Sequence, residues 1–339
     1  MSAQAFEIRL AGSERSYVNP AGDNLLRAGL RAGVGLPYEC NAGGCGSCKF
    51  DLLSGEVMEL WPEAPGLSTK DRARGRRLAC QCVPLSDCQI KIRADECFVP
   101  SVPPERFTAV YVGSNQVTRD IREFRFRGPR PANFLPGQYA LLDLPGAGQL
   151  RAYSMSNQPN EAGDWDFMVR QVPQGRVSAL LFESLSAGTE IQIDGPLGLA
   201  HLRKDSVRSV VCIAGGSGLA PTRSIVDAAT AQPHVAGQEI WLFYGGRGPE
   251  DMPAFDGLLQ APERVNVHAA ISVAQLADAA AWSGPRGFVH ELVGQTLESG
   301  LDAHEYYVAG PPPMIETVVR MLMLEHKVPA QQIHFDRFF

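Results

Sequence analysis

Nowhere does an apolar run reach the roughly 18 residues of a membrane-spanning helix, which argues against a bilayer-embedded protein. The opening MSAQAFEIRL has no basic start leading into an apolar core, so no secretory leader is read there and a cytoplasmic protein is expected. Basic residues are in deficit. With 31 Lys and Arg against 37 Asp and Glu the formal charge is −6, and such a chain lacks the basic surface that displaces counterions from nucleic-acid phosphates. No internal repeat or low-complexity tract occurs, and 45% hydrophobic with 20% charged residues is ordinary globular composition rather than that of a disordered chain. At about 100–200 residues per domain, 339 residues predict two or three domains, each with its own core.

Cysteine is present but unevenly placed: seven of the eight, at 40, 45, 48, 80, 82, 88 and 97, lie in the first hundred residues, and only Cys212 lies beyond. In a reducing compartment, close-set cysteines point to metal rather than disulfides. Cys40, Cys45 and Cys48 stand in Cys-x4-Cys-x2-Cys spacing within PYECNAGGCGSCKF, and Cys80 follows after 31 intervening residues. That is the plant-type [2Fe–2S] spacing, whereas zinc sites usually show two separated Cys-x2-Cys pairs. Gly43, Gly44 and Gly46 allow a tight loop whose backbone N–H groups face the sulfurs. The fourth ligand has two candidates, since Cys80 and Cys82 would point the same way from a strand; the spacing favours Cys80, with Cys82 a small buried hydrophobe.

The remaining pattern divides the chain into three. Residues 1–98 alternate short strands with Gly-rich turns around one helical stretch, NLLRAGLRAG, a small α+β module that, with its cysteine spacing, resembles the ferredoxin-like (β-grasp) domains. Residues 99–104 hold three prolines in six positions and form an extended linker. Residues 105–205 show evenly spaced strand runs (FTAVYVG, IREFRFRG, QYALLDL, WDFMVRQV, TEIQIDGP), an antiparallel β-barrel. Residues 206–339 alternate β and α, which predicts a doubly wound parallel sheet. There, Ala214-Gly215-Gly216-Ser217-Gly218-Leu219-Ala220-Pro221 follows an apolar strand and opens a helix, so Gly215, Gly216, Ser217 and Gly218 can approach a pyrophosphate while Pro221 suits the first helical turn.

In the barrel, Arg151-Ala152-Tyr153-Ser154-Met155-Ser156-Asn157 carries R-x-Y-S-x-x-N and resembles the ferredoxin–NADP reductase superfamily of flavoproteins. The resemblance implies Arg151 on the flavin pyrophosphate, Tyr153 packed on the isoalloxazine, Ser154 near its N5, and Asn157 closing the motif. Gly175-Arg176-Val177-Ser178 resembles the second phosphate turn, with Gly175, Val177 and Ser178 as contacts, and implies FAD rather than FMN. Ala309-Gly310-Pro311-Pro312-Pro313-Met314 resembles the nicotinamide motif C-G-P-P-x-M through Gly310, Pro311 and Met314, departing from it at Ala309. The ending Ile333-His334-Phe335-Asp336-Arg337-Phe338-Phe339 is similar to relatives whose terminal aromatic covers the flavin, which implies catalytic roles for Asp336, Phe338 and Phe339 beside Ser154, although an apolar tail docking on a core would look alike.

Tyr244-Gly245-Gly246-Arg247 ends the second parallel strand, where such folds read the ribose 2′ group. Arg247 suits a 2′-phosphate, but Glu250 and Asp251 oppose it, so NADH is expected over NADPH. Taken whole, the chain resembles the reductase components of bacterial multicomponent aromatic oxygenases, above all toluene and phenol monooxygenase reductases, in PYECNAGGCGSCK, LWPEAPGL, RLACQCVPLSD and HFDRFF. The resemblance implies NADH as substrate and a terminal oxygenase or Rieske ferredoxin component as electron acceptor, either a di-iron monooxygenase or a Rieske ring dioxygenase. A general ferredoxin or cytochrome reductase and a redox carrier or sensor are the other readings. Electron counting orders the centres, because two electrons arrive as hydride and leave singly through a cluster near about −400 mV. Lys70-Asp71-Arg72-Ala73-Arg74-Gly75-Arg76-Arg77, with five basic residues against one acid, reads either as a strip that steers the acceptor or as a solvated or internally docked turn.

Overall fold

A computed structural model describes residues 4–233, 237–273, 282–297 and 300–338. The chain divides into two compact units, residues 1–106 with 194–199, and residues 107–193 with 200–339, so the barrel and the parallel sheet share one unit. Among the described residues no helix is long and apolar enough to cross a membrane.

The first unit contains β1 (Phe6–Leu10), β2 (Ser16–Asn19), α1 (Leu25–Arg31), β3 (Lys49–Ser54), β4 (Val57–Glu59), α2 (Thr69–Ala73), β5 (Arg77–Leu78), β6 (Cys82–Pro84) and β7 (Cys88–Lys91). The main sheet runs β2-β1-β7-β3-β5, with β1 and β7 parallel, and β4 pairs with β6 as a separate ribbon. α1 buries every residue but Arg31. Its Asn24 cap accepts from the Arg27 N–H at 2.8 Å and donates through Nδ2 to the Cys80 carbonyl at 2.7 Å. One side chain thus starts the helix and fixes the position of Cys80. Residues 194–199 belong here too: Asp194 takes a 2.8 Å ion pair from Arg31, and Gly198 N–H donates to the Tyr38 hydroxyl at 3.2 Å.

The barrel, whose residues 107–193 lie in the second unit, is built from β8 (Glu105–Gln116), β9 (Ile121–Arg127), β10 (Tyr139–Asp143), β11 (Arg151–Ser154), β12 (Asp164–Arg170), α3 (Arg176–Ala179) and β13 (Glu190–Leu197). Its sheet runs β11-β10-β13-β8-β9-β12, and an antiparallel bridge between Met155 and Phe167 brings the two edges together into a nearly closed barrel. Alternation decides what fills it. Phe124 and Phe126 of β9 point inward among Trp165, Phe167 and Phe134, while Arg125 and Arg127 face out and pair with Asp166 and Asp164 at 2.8 Å each.

The doubly wound part follows: β14 (Ser209–Gly215), α4 (Leu219–Ala231), β15 (Ile240–Gly246), α5 (Phe255–Leu258), β16 (Asn266–Ile271), α6 (Val289–Leu297), β17 (His304–Gly310), α7 (Pro312–Arg320) and β18 (Ile333–Arg337). The order is β16-β15-β14-β17-β18, all parallel. β14 reads as a continuous apolar run because both its faces are covered. Val211 and Ile213 pack with α6 and α7, whereas Val210 and Cys212 pack with α4.

Two consequences can be tested. Gly218 lies so close to β17 that a Cβ there would stand 2.0 Å from the Ala309 carbonyl oxygen. Gly218→Ala should therefore force the two turns apart and lower the thermal midpoint by an amount equivalent to about 1–3 kcal/mol, as a melting curve would show. Burial, with the Arg203 charge second, pushes the His201 imidazole down to about 4. An unfolded chain would protonate it near about 6.5, so the unfolded state takes up a proton that the folded state refuses, and stability present above that pH is lost as pH falls toward about 4. The thermal midpoint should drop across this window, and His201→Gln should flatten the drop; an unchanged slope would refute the assignment.

Candidate functional site

The cysteine loop leaves β3 on its N-terminal side and is clamped by the segment before α2. Gly46 has φ +76°, and a Cβ there would lie 2.4 Å from the Gly66 carbonyl oxygen, while Gly66 N–H donates to Gly43 at 2.9 Å. Only glycine permits that approach. Within the loop, Cys40 Sγ lies 3.3 Å from Cys45 Sγ. The hydrogen bond between them drives the Cys40 thiol up, with burial adding to it, and draws Cys45 down to about 5 against its own burial. Cys80 is raised first by its hydrogen bond with Cys48 and then by burial. The four thiols therefore form two pairs. Each iron of a [2Fe–2S] core, bridged by two sulfides, keeps two thiolate positions, so the pairing fits. Among the described residues no three His, Cys, Asp or Glu side chains gather around one point for a single ion.

Backbone N–H groups reach the same sulfurs, from Ala42 and Cys45 to Cys40 at 3.4 and 3.3 Å, and from Ser47 to Cys45 at 3.4 Å. Among the described residues, both amide atoms of buried Asn41 have no hydrogen-bond partner. The expectation that Cys80 and Cys82 share a strand face fails, because Ala79–Gln81 form a 3-10 turn and Cys82 opens β6 beyond it. Burial pushes the Cys82 thiol up to about 12, which keeps it protonated. The basic strip is largely engaged within its own unit. Arg72 donates to the Pro62 and Ala64 carbonyls at 3.2 and 2.8 Å, Arg76 reaches Asp71 at 3.3 Å, and Arg77 reaches Glu59 at 3.0 Å, which leaves Lys70 and Arg74 facing solvent.

In the second unit, β11 carries the Arg151, Tyr153 and Ser154 of the barrel motif along one sheet edge, paired to β10. Tyr153 packs against the barrel core, and burial pushes its hydroxyl up to about 12 against the nearby Arg151 charge. Ser154 Oγ lies 3.5 Å from Asp336 Oδ2 of β18, so two residues 182 positions apart that were both expected at the reacting atoms stand together. Phe338 follows directly, its N–H donating to the Gly310 carbonyl at 3.0 Å; Phe339 lies outside the described residues. Asn157, at the end of the same motif, bonds in two directions. Its Nδ2 donates to Asp164 O at 2.8 Å and its carbonyl accepts from Ser224 Oγ of α4 at 2.7 Å, so it braces barrel against sheet. Around α3, Ser178 Oγ donates to the Gly175 carbonyl at 3.1 Å and Val177 is buried in the barrel core, so side chains shape this turn from within.

At the carboxyl ends of the parallel strands a cavity of about 200 Å³ is lined by Gly215, Gly216, Pro311 and Met314 at one end and by Arg247, Asp251 and Phe288 at the other. This is the crevice in which an open α/β sheet takes its ligand. Ser217 and Gly218 complete the turn, and Pro221 is buried in the first turn of α4. Arg247 does not stand free: its Nε meets Asp251 Oδ2 at 3.1 Å, and its own backbone N–H donates to the same oxygen at 2.9 Å. Burial alone would raise Asp251, but these bonds and the Arg247 and Arg119 charges hold it below the usual carboxylate range. Glu250 pairs with Arg119 rather than Arg247. Asp120 and Arg170, from the barrel, also line the cavity. No motif marked them, since they come from another fold and reach the site only through tertiary packing.

The chain matches the 2Fe-2S iron-sulfur cluster binding domain over residues 8–85, the oxidoreductase FAD-binding domain over 109–202 and the oxidoreductase NAD-binding domain over 212–320. It is 43% identical over 323 residues to the ferredoxin–NAD(P)+ reductase CarAd of Metapseudomonas resinovorans, covering 94% of this chain and 95% of that protein. It is 39% identical to the ferredoxin–NAD+ reductase component of the alkene monooxygenase system of Xanthobacter autotrophicus, with 96% and 98% covered. The solved ferredoxin reductase in carbazole 1,9a-dioxygenase superposes over 100% of both chains with TM-score 0.92 at 38% identity. With cluster, flavin and nucleotide domains in this order and relatives matched end to end, the chain belongs to the ferredoxin–NAD(P)+ reductase components of multicomponent oxygenases, enzymes that use a [2Fe–2S] cluster, FAD and NADH.

Proposed function

We propose that this chain oxidises NADH and delivers single electrons to a terminal oxygenase component, directly or through a ferredoxin, in the catabolism of aromatic hydrocarbons. The observation that carries the reading is the approach of Ser154 on the barrel edge to Asp336 on the last parallel strand, beside the turn at Gly310. A flavin held there would supply the conversion of a two-electron hydride donor into single-electron delivery. The chain's own part is positional. Arg151 would meet the flavin pyrophosphate with the turn at Gly175, Val177 and Ser178, and Tyr153 would cover the ring. The hydroxyl of Ser154 and the carboxylate of Asp336 would bracket the reacting atoms, with Phe338 following β18 beside them. Gly215, Gly216, Ser217, Gly218 and Pro221 would receive the NADH pyrophosphate, and Gly310, Pro311 and Met314 the nicotinamide. Ala309 puts a methyl where the family has a thiol, so the nicotinamide would be held by backbone and the Met314 thioether without a cysteine beside it.

The cluster ligands in this reading are Cys40, Cys45, Cys48 and Cys80, supported by the two thiol pairs and the N–H groups aimed at them. The division into 1–98, a linker at 99–104, 105–205 and 206–339 follows the change of sheet from one stretch to the next. A reducing, cytoplasmic setting agrees with eight free cysteines. NADH rather than NADPH is the substrate because Arg247 is already neutralised by carboxylate. The acceptor is a di-iron aromatic monooxygenase in the reading preferred from sequence. A Rieske dioxygenase is the second reading, favoured by the likeness to the carbazole dioxygenase reductase.

Cys45→Ser should remove the cluster's visible absorbance yet leave NADH-dependent ferricyanide reduction near wild type, since ferricyanide can draw electrons before the cluster. Cytochrome c reduction should largely disappear. If it survives undiminished, the proposed order of centres is wrong. Reconstitution with a purified di-iron hydroxylase or a Rieske ferredoxin then separates the two acceptors by which one supports NADH-driven product formation.

A further inference from the structure

Coenzyme choice at the far end of the cavity involves a residue outside the parallel sheet. The turn between β8 and β9, residues 117–120, belongs to the barrel, yet its Asp120 lines the same cavity as Gly216 and Arg247. Asp120 Oδ2 accepts from Arg170 Nε at 2.7 Å and from Arg247 Nη2 at 3.2 Å, and Oδ1 accepts from Thr118 Oγ1 at 3.4 Å. The carboxylate therefore sits between two guanidinium groups. Arg170 lies toward the glycine turn, its Nη1 3.8 Å from where a Cβ on Gly216 would stand. Arg247 ends β15, where a dinucleotide fold meets the ribose, and Asp251 holds it from its other side. The turn itself is pinned, because Arg119 pairs with Glu250 and reaches Asp251 at 3.3 Å.

Charge around the cavity is thus balanced, two carboxylates against two guanidiniums. A 2′-phosphate would bring about −1.5 to −2 more. To pair with it Arg247 would have to leave both carboxylates, and the phosphate would then face their charge within a few ångströms in a half-enclosed cleft. A 2′-hydroxyl requires neither, and can donate to a carboxylate. We propose that Asp120 is a specificity-determining residue that selects NADH over NADPH, by neutralising Arg247 from the neighbouring barrel and repelling a 2′-phosphate. This rests on the nucleotide-site reading of the cavity given above.

The test uses the holoenzyme. Asp120→Asn keeps the shape and removes one charge, so the ratio of kcat/KM for NADPH to that for NADH in ferricyanide reduction should rise about tenfold, through KM for NADPH. Adenosine 2′,5′-bisphosphate should gain as an inhibitor relative to 5′-AMP. Adding Arg247→Gln should abolish the gain, since Arg247 is the group set free. In the wild type, which needs no variant to fold, the preference for 5′-AMP over the bisphosphate should shrink as salt rises. A merely structural Asp120 predicts parallel losses for both coenzymes. An unmoved ratio, a gain that persists without Arg247, or a salt-independent preference would each overturn the proposal while leaving the nucleotide site intact. If 5′-AMP fails to compete with NADH in the wild type, the site reading falls and the proposal with it.

Discussion

Hydride moves only between atoms nearly in contact, so the barrel and the parallel sheet of the second unit must be held at one fixed separation. Apolar contact alone, here Ile121 and Met168 against Ala214, Leu219 and Tyr244, is non-directional and would tolerate sliding. Directional bonds remove that freedom. Ser224 Oγ donates to the Asn157 carbonyl, Gln158 Nε2 donates to the Ser224 carbonyl, each at 2.7 Å, and Arg223 meets Glu123 at 2.6 Å. Glu123 also accepts from Ser156 Oγ at 2.6 Å, so the ion pair is tied back to the Arg151–Asn157 motif itself. Both charges are mostly buried, and loss of one partner would strand the other. The 3.5 Å approach of Ser154 to Asp336 is the outcome of these braces.

In the first unit the constraint is the backbone of a loop that must bring three thiols together without strain. Glycine at 46 meets it locally, and the distant fourth thiol is set by Asn24 through its bond to the Cys80 carbonyl. α2 contributes indirectly: Asp71 closes a capping box with Ser68, binds Lys49 at 2.8 Å, and so fastens the clamp over the loop to the start of β3. Arginines 72, 76 and 77 serve the same fastening. A run of positive charge in the sequence is therefore mostly internal structure, with Lys70 and Arg74 as its outward remainder.

What was legible in the sequence was whatever has a local cause. The strand run IREFRFRG and the glycine turn after an apolar strand each follow from short-range geometry, and β9 and the Gly216–Gly218 turn stand at those stretches. The strand expected across 78–82 does not form. Ala79 N–H bonds to the Cys48 carbonyl at 3.0 Å and pulls the chain into a turn, a long-range contact that propensity does not contain. Asn157 is similar: its motif position was evident, but its use as a brace depends on α4, 67 residues away. Glu250 and Asp251 were expected to act together on Arg247, yet only Asp251 does, because Arg119 from the barrel takes Glu250.

That last difference bears on how charge works at this site. An exposed ion pair such as Arg119 with Glu250 contributes little to stability on its own. Its value lies in holding the turn at 117–120, which carries Asp120 into the cavity, against the Pro249–Asp251 turn. The resulting chain of charges runs Glu250, Arg119, Asp251, Arg247, Asp120, Arg170, three carboxylates alternating with three guanidiniums across the seam between barrel and sheet. Each member screens its neighbours, so the lattice as a whole presents no net charge to an incoming dinucleotide, while any single extra charge on the ligand must break one of its links. The same seam that fixes the hydride distance therefore also reads the ribose, and a substitution in the barrel can change which coenzyme is used without touching the parallel sheet.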